Sequence, residues 1–303
     1  MPALSEHHLT ERVDRFRDEL RILVDQADST NTRPDRDRIE GLYQKYFPNP
    51  RLIKTSTKHT LAELAALHAG IEDAFSYTLS PLMLGRLGQL VGQITEQLRQ
   101  DVQRGPDAAL RYLTRFHADL LRARRFTQAR DLVERYELNA PHWNLIDESP
   151  AGAGPAVLDI AADRPPVTLT RRWVDLGPDP MLVAVVHPHC GPSRRAMMHI
   201  ENHPDLAALF ANRTVWLADA RQVNLEPLTD WNAQARETKI SISYDNYAWP
   251  EAIGFMRTPV FYFLRDAVVR DVVIGWPGVE QVERLHAGFD AIGVDSGISP
   301  IAR

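Results

Sequence analysis

The chain of 303 residues contains a single cysteine, Cys190. One thiol cannot close an intramolecular disulfide or supply a CxxC metal pair, so a disulfide framework and the common zinc motifs are excluded. A protein without disulfides is typical of a reducing compartment, which favours the cytoplasm. The first twenty residues lack the basic start and apolar core of a secretory signal peptide, which agrees with that location.

The chain also lacks an excess of basic charge and any long apolar run. Lys and Arg number 35 against 40 Asp and Glu, and the net charge of -5 gives no reason to expect a nucleic-acid partner. No apolar run approaches the roughly 18 residues of a membrane span. A Gly-rich phosphate loop and a Ser-His-Asp signature are absent as well. We therefore expect a globular protein that binds neither nucleic acid nor membrane.

The hydrophobic pattern divides the chain into a helical half and an alternating half. Residues 1–138 repeat apolar positions at spacings of three and four, which predicts an all-α domain. Within it, residues 109–138 resemble one helical hairpin of a repeat array, but no second copy at a fixed period is present, so a small bundle and a repeat array both stay open. Residues 139–155 are rich in Pro, Gly and Ala and are predicted to be a linker.

Residues 156–303 alternate between strands and helices. Continuous apolar runs at Met181–Val186 and Thr214–Asp219 predict buried strands, and Val260–Gly275 predicts a hairpin. Three helix patterns complete this half, at 192–202, 227–236 and 279–289. The order of elements predicts an α/β sheet with a parallel centre and an antiparallel hairpin at its edge.

Cys190 lies where an apolar strand gives way to a helix. Free N–H groups and the positive end of the helix dipole stabilise a thiolate at such a junction. Pro192 suits the first turn, and Arg194 and Arg195 add positive charge, as His189 does when protonated. These features favour a reactive thiol, and the alternative that stays open is a buried, inert cysteine.

Three motifs in the right order resemble the thioredoxin-like family. The strand "MLVAVV" leads into "HPHCGPS", "AIGFMRTPVFYFL" places a Thr-Pro before a strand, and "GWPGVEQVERLHAGF" leads into a closing helix. The resemblance implies an α/β thioredoxin-like domain at 156–303, preceded by the all-α helical domain. It also implies a cis bond between Thr258 and Pro259, facing Cys190.

The motif Cys-Gly-Pro-Ser departs from the family pattern at Ser193, where a dithiol thioredoxin has its second cysteine. A hydroxyl cannot attack a mixed disulfide, so the dithiol cycle cannot run within this chain. The buried acid that the family carries six residues before the cysteine is replaced by Ala184. The second cysteine and the buried acid are both absent, which is consistent because in the family the acid helps that cysteine to lose its proton.

A one-cysteine site leaves several chemistries open. Cys190 could form a mixed disulfide that an external thiol releases, or be oxidised by peroxide to a sulfenic acid. Monothiol glutaredoxins hold an iron–sulfur cluster at Cys-Gly-Phe-Ser, which this motif resembles only loosely. His187, His189 and Cys190 could bind a metal only with a further ligand, whereas His199 and His203 lie at the far end of the helix. We therefore predict no metal and no cofactor, other than glutathione or another external thiol.

The sequence thus predicts a cytoplasmic monothiol thioredoxin-like protein. Cys190 and Ser193 are the catalytic candidates; the substrate-binding candidates are Thr258, Pro259, His189 and Trp276, the last with packing as its alternative. The expected partner is a protein or peptide at the face of Cys190 and Pro259, and the helical domain would select it or form a homodimer. The competing hypothesis is a module without redox activity, which uses the same fold to bind a protein partner, so whether the chain is an enzyme stays open.

The variant Ser193→Cys tests the placement of Cys190 at a strand-to-helix junction. The second thiol would lie one helical turn from the first, so mild oxidation should close an internal disulfide and the variant should reduce disulfides. Mass spectrometry after alkylation of the remaining thiols measures the bridge. Failure to form it would contradict the predicted junction.

Overall fold

The computed structural model describes residues 6–48, 59–100, 105–140, 143–146, 154–161 and 167–296. These residues form two compact units. The first holds the described residues up to Thr30 and those from Pro34 to Ala140; the second holds Asn31–Arg33 and the described residues from Trp143 onward. The segment Asn31–Arg33 therefore belongs to the second unit, although helices flank it in sequence.

The first unit is helical throughout its described part. Its helices are α1 (Glu6–Ser29), α2 (Arg36–Tyr46), α3 (Leu61–Thr78), α4 (Pro81–Arg99), α5 (Gly105–Arg122) and α6 (Phe126–Tyr136). Each helix packs against the next along the chain, and α1 also packs against α3. This pattern is common to bundles and repeat arrays, so both interpretations stay open. No described helix is long and apolar enough to cross a bilayer.

The second unit is built on a mixed sheet of eight strands, counted over the described residues. The strands are β1 (Trp143–Ile146), β2 (Ala156–Ile160), β3 (Val167–Trp173), β4 (Met181–Val185), β5 (Thr214–Ala218), β6 (Ile240–Ser243), β7 (Val260–Arg265) and β8 (Val268–Ile274). Their order is β1-β3-β2-β6-β5-β4-β7-β8. The helices are α7 (Gly191–Asn202), α8 (Pro204–Phe210), α9 (Glu226–Asn232) and α10 (Gln281–Ala291).

The predicted core of this sheet is confirmed. Strand β4 pairs in parallel with β5, and β5 pairs in parallel with β6. The hairpin of β7 and β8 is antiparallel and ends the sheet. Its turn is formed by Asp266 and Ala267, which both have positive φ angles (55° and 58°), as a two-residue hairpin turn requires.

The sheet is larger than the sequence pattern indicated. Strands β1, β2, β3 and β6 and the short helix α8 were not predicted. The predicted linker 139–155 contains β1, which pairs in parallel with β3; its residues 141, 142 and 147–153 lie outside the described residues. Strand β1 has four residues at the sheet edge, with exposed positions between inward ones, and so short a segment carries no readable period.

Asp119 on α5 is a buried carboxyl group in the helical unit. Its side chain is fully buried, and Oδ1 accepts a hydrogen bond from Arg122 at 2.8 Å. Its second oxygen, Oδ2, has no partner among the described residues. Burial raises the pKa of Asp119 to about 7, against the opposing effect of Arg122. The folded unit therefore holds a proton that the unfolded chain releases near the ordinary value of about 4.

We predict that Asp119 by itself lowers the free energy of unfolding as pH rises from about 4 to about 7, because this carboxyl binds one more proton in the folded form over that range. Buried His68, whose pKa is lowered to about 4, contributes the opposite slope, so the test is the difference between wild type and variant. Asp119→Asn should remove the contribution of Asp119 and stabilise the protein at pH 8 by on the order of a few kcal/mol. Urea unfolding at several pH values measures it. Asp73→Asn, at a solvent-exposed ion pair with Arg17, is the control and should leave the slope unchanged. Equal slopes of the unfolding free energy against pH in wild type and Asp119→Asn would contradict the raised pKa of Asp119.

Candidate functional site

Cys190 is held at the carboxyl end of the central strand β4. Residues Leu182–Val185 are fully buried between β5 and β7. The chain leaves the sheet after Val186, whose N–H donates to Leu217 O. A turn then closes with Cys190 N donating to His187 O at 3.0 Å, and α7 begins at Gly191. The predicted junction between strand and helix is therefore present, and Cys190 is the N-cap residue of α7.

The first turn of α7 presents unpaired N–H groups to the sulfur. The first intrahelical bond runs from Arg194 N to Cys190 O at 2.9 Å. An N-cap side chain ordinarily accepts from the third helical residue, which here is Ser193. The neutral thiol makes no such capping bond and instead donates to Thr258 O at 3.2 Å. The N–H of Ser193 therefore becomes a donor to the sulfur when the thiol loses its proton.

Thr258 and Pro259 face Cys190 from the start of β7. The bond between them is cis, as predicted. Thr258 O accepts the thiol hydrogen, while Pro259 O accepts from Gly275 N at 2.8 Å, across the β7–β8 hairpin. The structure thus brings together three of the predicted residues: Cys190, Thr258 and Pro259.

Ser193 is the fourth predicted residue at this place. Its side chain is completely buried, and its hydroxyl has no hydrogen-bond partner among the described residues while the thiol is neutral. A buried hydroxyl without a partner costs free energy. The hydroxyl lies by the sulfur and favours its ionised form.

The balance of these effects lowers the pKa of the Cys190 thiol below its ordinary value. Partial burial of the sulfur is the largest single influence and raises the pKa. Hydrogen bonding by the Thr258 side chain and by the N–H and hydroxyl of Ser193 lowers it, as does the charge of Arg195, and together they outweigh burial. The site therefore stabilises a thiolate.

His189 is exposed, and its neighbour His187 holds the turn. The N–H of His189 donates to His187 Nδ1 at 3.1 Å, and the two rings meet edge to face with centroids 5.7 Å apart. Burial lowers the pKa of His187, so its ring is neutral at pH 7 and Nδ1 can accept. His189 remains a candidate for contact with a substrate because its side chain is open to solvent.

Trp276 was predicted to bind substrate, and the structure supports its alternative, packing. Only 3% of the residue is exposed, and its ring lies 5.6 Å from that of His199. His199 in turn stacks on His203 at 3.8 Å. We leave Trp276 out of the proposed site because a buried ring offers a substrate little surface.

The described residues contain no group of three or more His, Cys, Asp or Glu side chains that could hold a metal ion. His199 lies towards the carboxyl end of α7 and His203 follows it, whereas Cys190 caps the other end. The two histidine pairs are therefore separated by the length of the helix.

One contact near the site has no signal in the sequence. Asn31 Nδ2 donates to the hydroxyl of Tyr262 on β7 at 2.9 Å, although 231 residues separate them. The same hydroxyl accepts from Gly254 N at 2.9 Å and donates to Gly254 O at 3.1 Å. Arg33 adds hydrogen bonds to the carbonyls of Asn246 and Trp249. The segment Asn31–Arg33 thus stabilises, through these hydrogen bonds, the loop that leads to Thr258 and Pro259.

Comparison with known proteins adds little. No protein-family model and no curated protein matches the chain. Among solved structures, the chain is similar to a thioredoxin-like protein from Bacteroides caccae ATCC 43185, with 12% identity over 82% of this chain and 92% of that one, and a TM-score of 0.29. A TM-score this low carries no argument, so the α/β description rests on the strand order.

We predict that Gly254→Ala destabilises the protein. A β-carbon at this position would overlap Asn31 O, a backbone atom that cannot turn away. Overpacking of this kind costs about 1–3 kcal/mol. Gly85→Ala on α4 is the matched control, because its β-carbon would meet no atom within 4 Å and alanine favours a helix. Thermal unfolding of both variants measures the effect, and an unchanged midpoint for Gly254→Ala would contradict the close approach of Asn31.

Proposed function

We propose that this protein is a monothiol thioredoxin-like protein in which Cys190 forms mixed disulfides with a partner protein or a low-molecular-weight thiol. The observation that carries the proposal is the setting of the sulfur, which caps α7 between Ser193 and Thr258 with a lowered pKa. A thiol in this setting is a better nucleophile at neutral pH than an ordinary cysteine, because more of it is ionised.

The reaction proceeds in two balanced steps. The Cys190 thiolate attacks one sulfur of a disulfide, the bond between the two disulfide sulfurs breaks, and the departing thiolate takes a proton from water. An external thiol, such as glutathione, then attacks the mixed disulfide and restores the Cys190 thiolate. The first disulfide is the oxidant and the external thiol the reductant.

Ser193 has a different role from the cysteine that dithiol proteins carry at this position. Its hydroxyl cannot displace the bound partner, so the mixed disulfide persists until another thiol arrives. The hydroxyl and the N–H of Ser193 instead donate to the thiolate, which completes the hydrogen bonding of a buried group that otherwise has no partner.

Thr258 and Pro259 would hold the backbone of an extended partner beside the sulfur. The N–H of Thr258 has no hydrogen-bond partner among the described residues and is a donor for an incoming carbonyl. A peptide bound there would add a strand-like segment next to β7. The exposed side chain of His189 would lie at the rim.

In this proposal the helical part, residues 1–138, selects the partner or mediates a homodimer. The protein would act in the cytoplasm, where external thiols are abundant and a lone cysteine stays reduced. The amphipathic helices support a role in partner selection or dimerisation, and the single cysteine supports the cytoplasmic location.

The test is the rate of Cys190 alkylation by iodoacetamide as a function of pH. We expect a midpoint below that of a free cysteine peptide. Ser193→Ala should slow alkylation at pH 7 by about tenfold, because a hydrogen bond to a charged group contributes about 1.5–3 kcal/mol. The same variant should keep its stability, because it loses a hydroxyl that has no partner in the thiol form.

Thr229→Val is the matched control, because it removes another buried hydroxyl without a partner among the described residues, on α9. It should leave the alkylation profile unchanged. A wild-type midpoint at or above that of the free peptide, or no labelling before unfolding, would overturn the redox proposal. The interaction module without redox activity would then be the better account.

A further inference from the structure

The charge next to Cys190 is positive and uncompensated. Arg195 Nη1 lies 3.5 Å from the point that a β-carbon on Gly191, the residue after Cys190, would occupy. Its charge is felt at the sulfur. Arg194 and Arg195 are both exposed, and neither forms an ion pair with a carboxylate of the described residues. A substrate that reaches the sulfur therefore meets a free guanidinium.

An acidic group at this end of the sheet, Asp219, is already paired. Asp219 follows β5, which runs parallel to β4, so both strands end on the same side. Its carboxylate accepts hydrogen bonds from Arg221 and from Asn246 Nδ2. Asp219 therefore offers no free negative charge to balance Arg195 or to attract a cationic substrate.

The buried donor beside the sulfur serves the thiolate and not the substrate. The Ser193 hydroxyl is completely buried, has no partner among the described residues while the thiol is neutral, and favours the ionised sulfur. The charge of an incoming substrate is therefore met by the exposed guanidinium of Arg195.

We propose that the disulfide attacked by Cys190 carries carboxylates close to its sulfur atoms, and that Arg195 selects it. This inference rests on the proposed function and names its substrate class. The guanidinium attracts the carboxylate before reaction and remains paired with it in the mixed disulfide. The thiolate of Cys190 displaces a carboxylate-bearing thiolate, which is protonated by water, and an external thiol later releases the half that stayed bound.

The experiment compares three small disulfides with one skeleton, namely dithiodipropionate, hydroxyethyl disulfide and cystamine. Their charges are negative, neutral and positive. Rates of mixed-disulfide formation on the full chain are measured by mass spectrometry. Each rate is divided by the rate at which N-acetylcysteine amide reacts with the same disulfide, which corrects for differences in the intrinsic reactivity of the disulfides. At low salt we expect the normalised rate of mixed-disulfide formation to be about tenfold higher for the anionic disulfide than for the cationic one. At 1 M salt the gain should vanish, because the screening length is then about 3 Å.

Arg195→Gln should abolish this preference while the neutral disulfide still reacts. Arg236→Gln is the matched control, because the Arg236 N–H binds Glu201, at the opposite end of α7 from Cys190. It should keep the full preference. Equal normalised rates for the three disulfides would overturn the inference and leave the proposed function intact, whereas no reaction with any of them would overturn both.

Two peptide disulfides identify the source of the carboxylates. One has Glu on both sides of its cysteine, and the other has Gln. A greater preference between the peptides than between the small disulfides would assign the site to an acidic protein segment. A preference confined to the small disulfides would assign it to a free low-molecular-weight disulfide. No preference in either set would overturn the inference.

Discussion

The unpaired N–H groups in the first turn of α7 are the feature on which the chemistry of this site depends. A helix must leave these donors without intrahelical partners, and a side chain at the N-cap position is the group best placed to accept from them. In this chain that side chain is a thiol, which accepts weakly when neutral and strongly when ionised. The helix end therefore favours the thiolate, and the cost of partial burial is outweighed.

The surroundings of the sulfur depend on how its two neighbours are held. Strand β4 is buried on both faces and directs Cys190 to the edge of the sheet, while the start of β7 brings Thr258 O to 3.2 Å from the sulfur. Strand β7 is in turn linked through the hydroxyl of Tyr262 to Gly254 and Asn31. A single phenol thus connects the loop before the proline with a segment from the amino-terminal part of the chain.

Under the proposed function, a serine at position 193 does more than stop a dithiol cycle. A second thiol would compete for the bound partner, whereas the Ser193 hydroxyl can only donate a hydrogen bond to the sulfur. Because this hydroxyl is buried and has no partner in the thiol form, the fold keeps a donor that is satisfied only after ionisation. With the free charge of Arg195, it makes the site one that stabilises negative charge.

The sequence by itself determined the α/β arrangement around Cys190, because continuous apolar runs and the change to a helical period are local patterns. It also placed Cys190 at a helix start, and the resemblance to the thioredoxin-like family implied a Thr-Pro bond opposite it. It could not determine strands β1, β2, β3 and β6, since short strands have no clear period, nor the burial of Trp276. The fastening of Tyr262 by Asn31 and the uncompensated charge of Arg195 were decided only by the tertiary structure. They depend on residues far apart in the chain, or on which of many charges find partners, and neither is a property of local sequence.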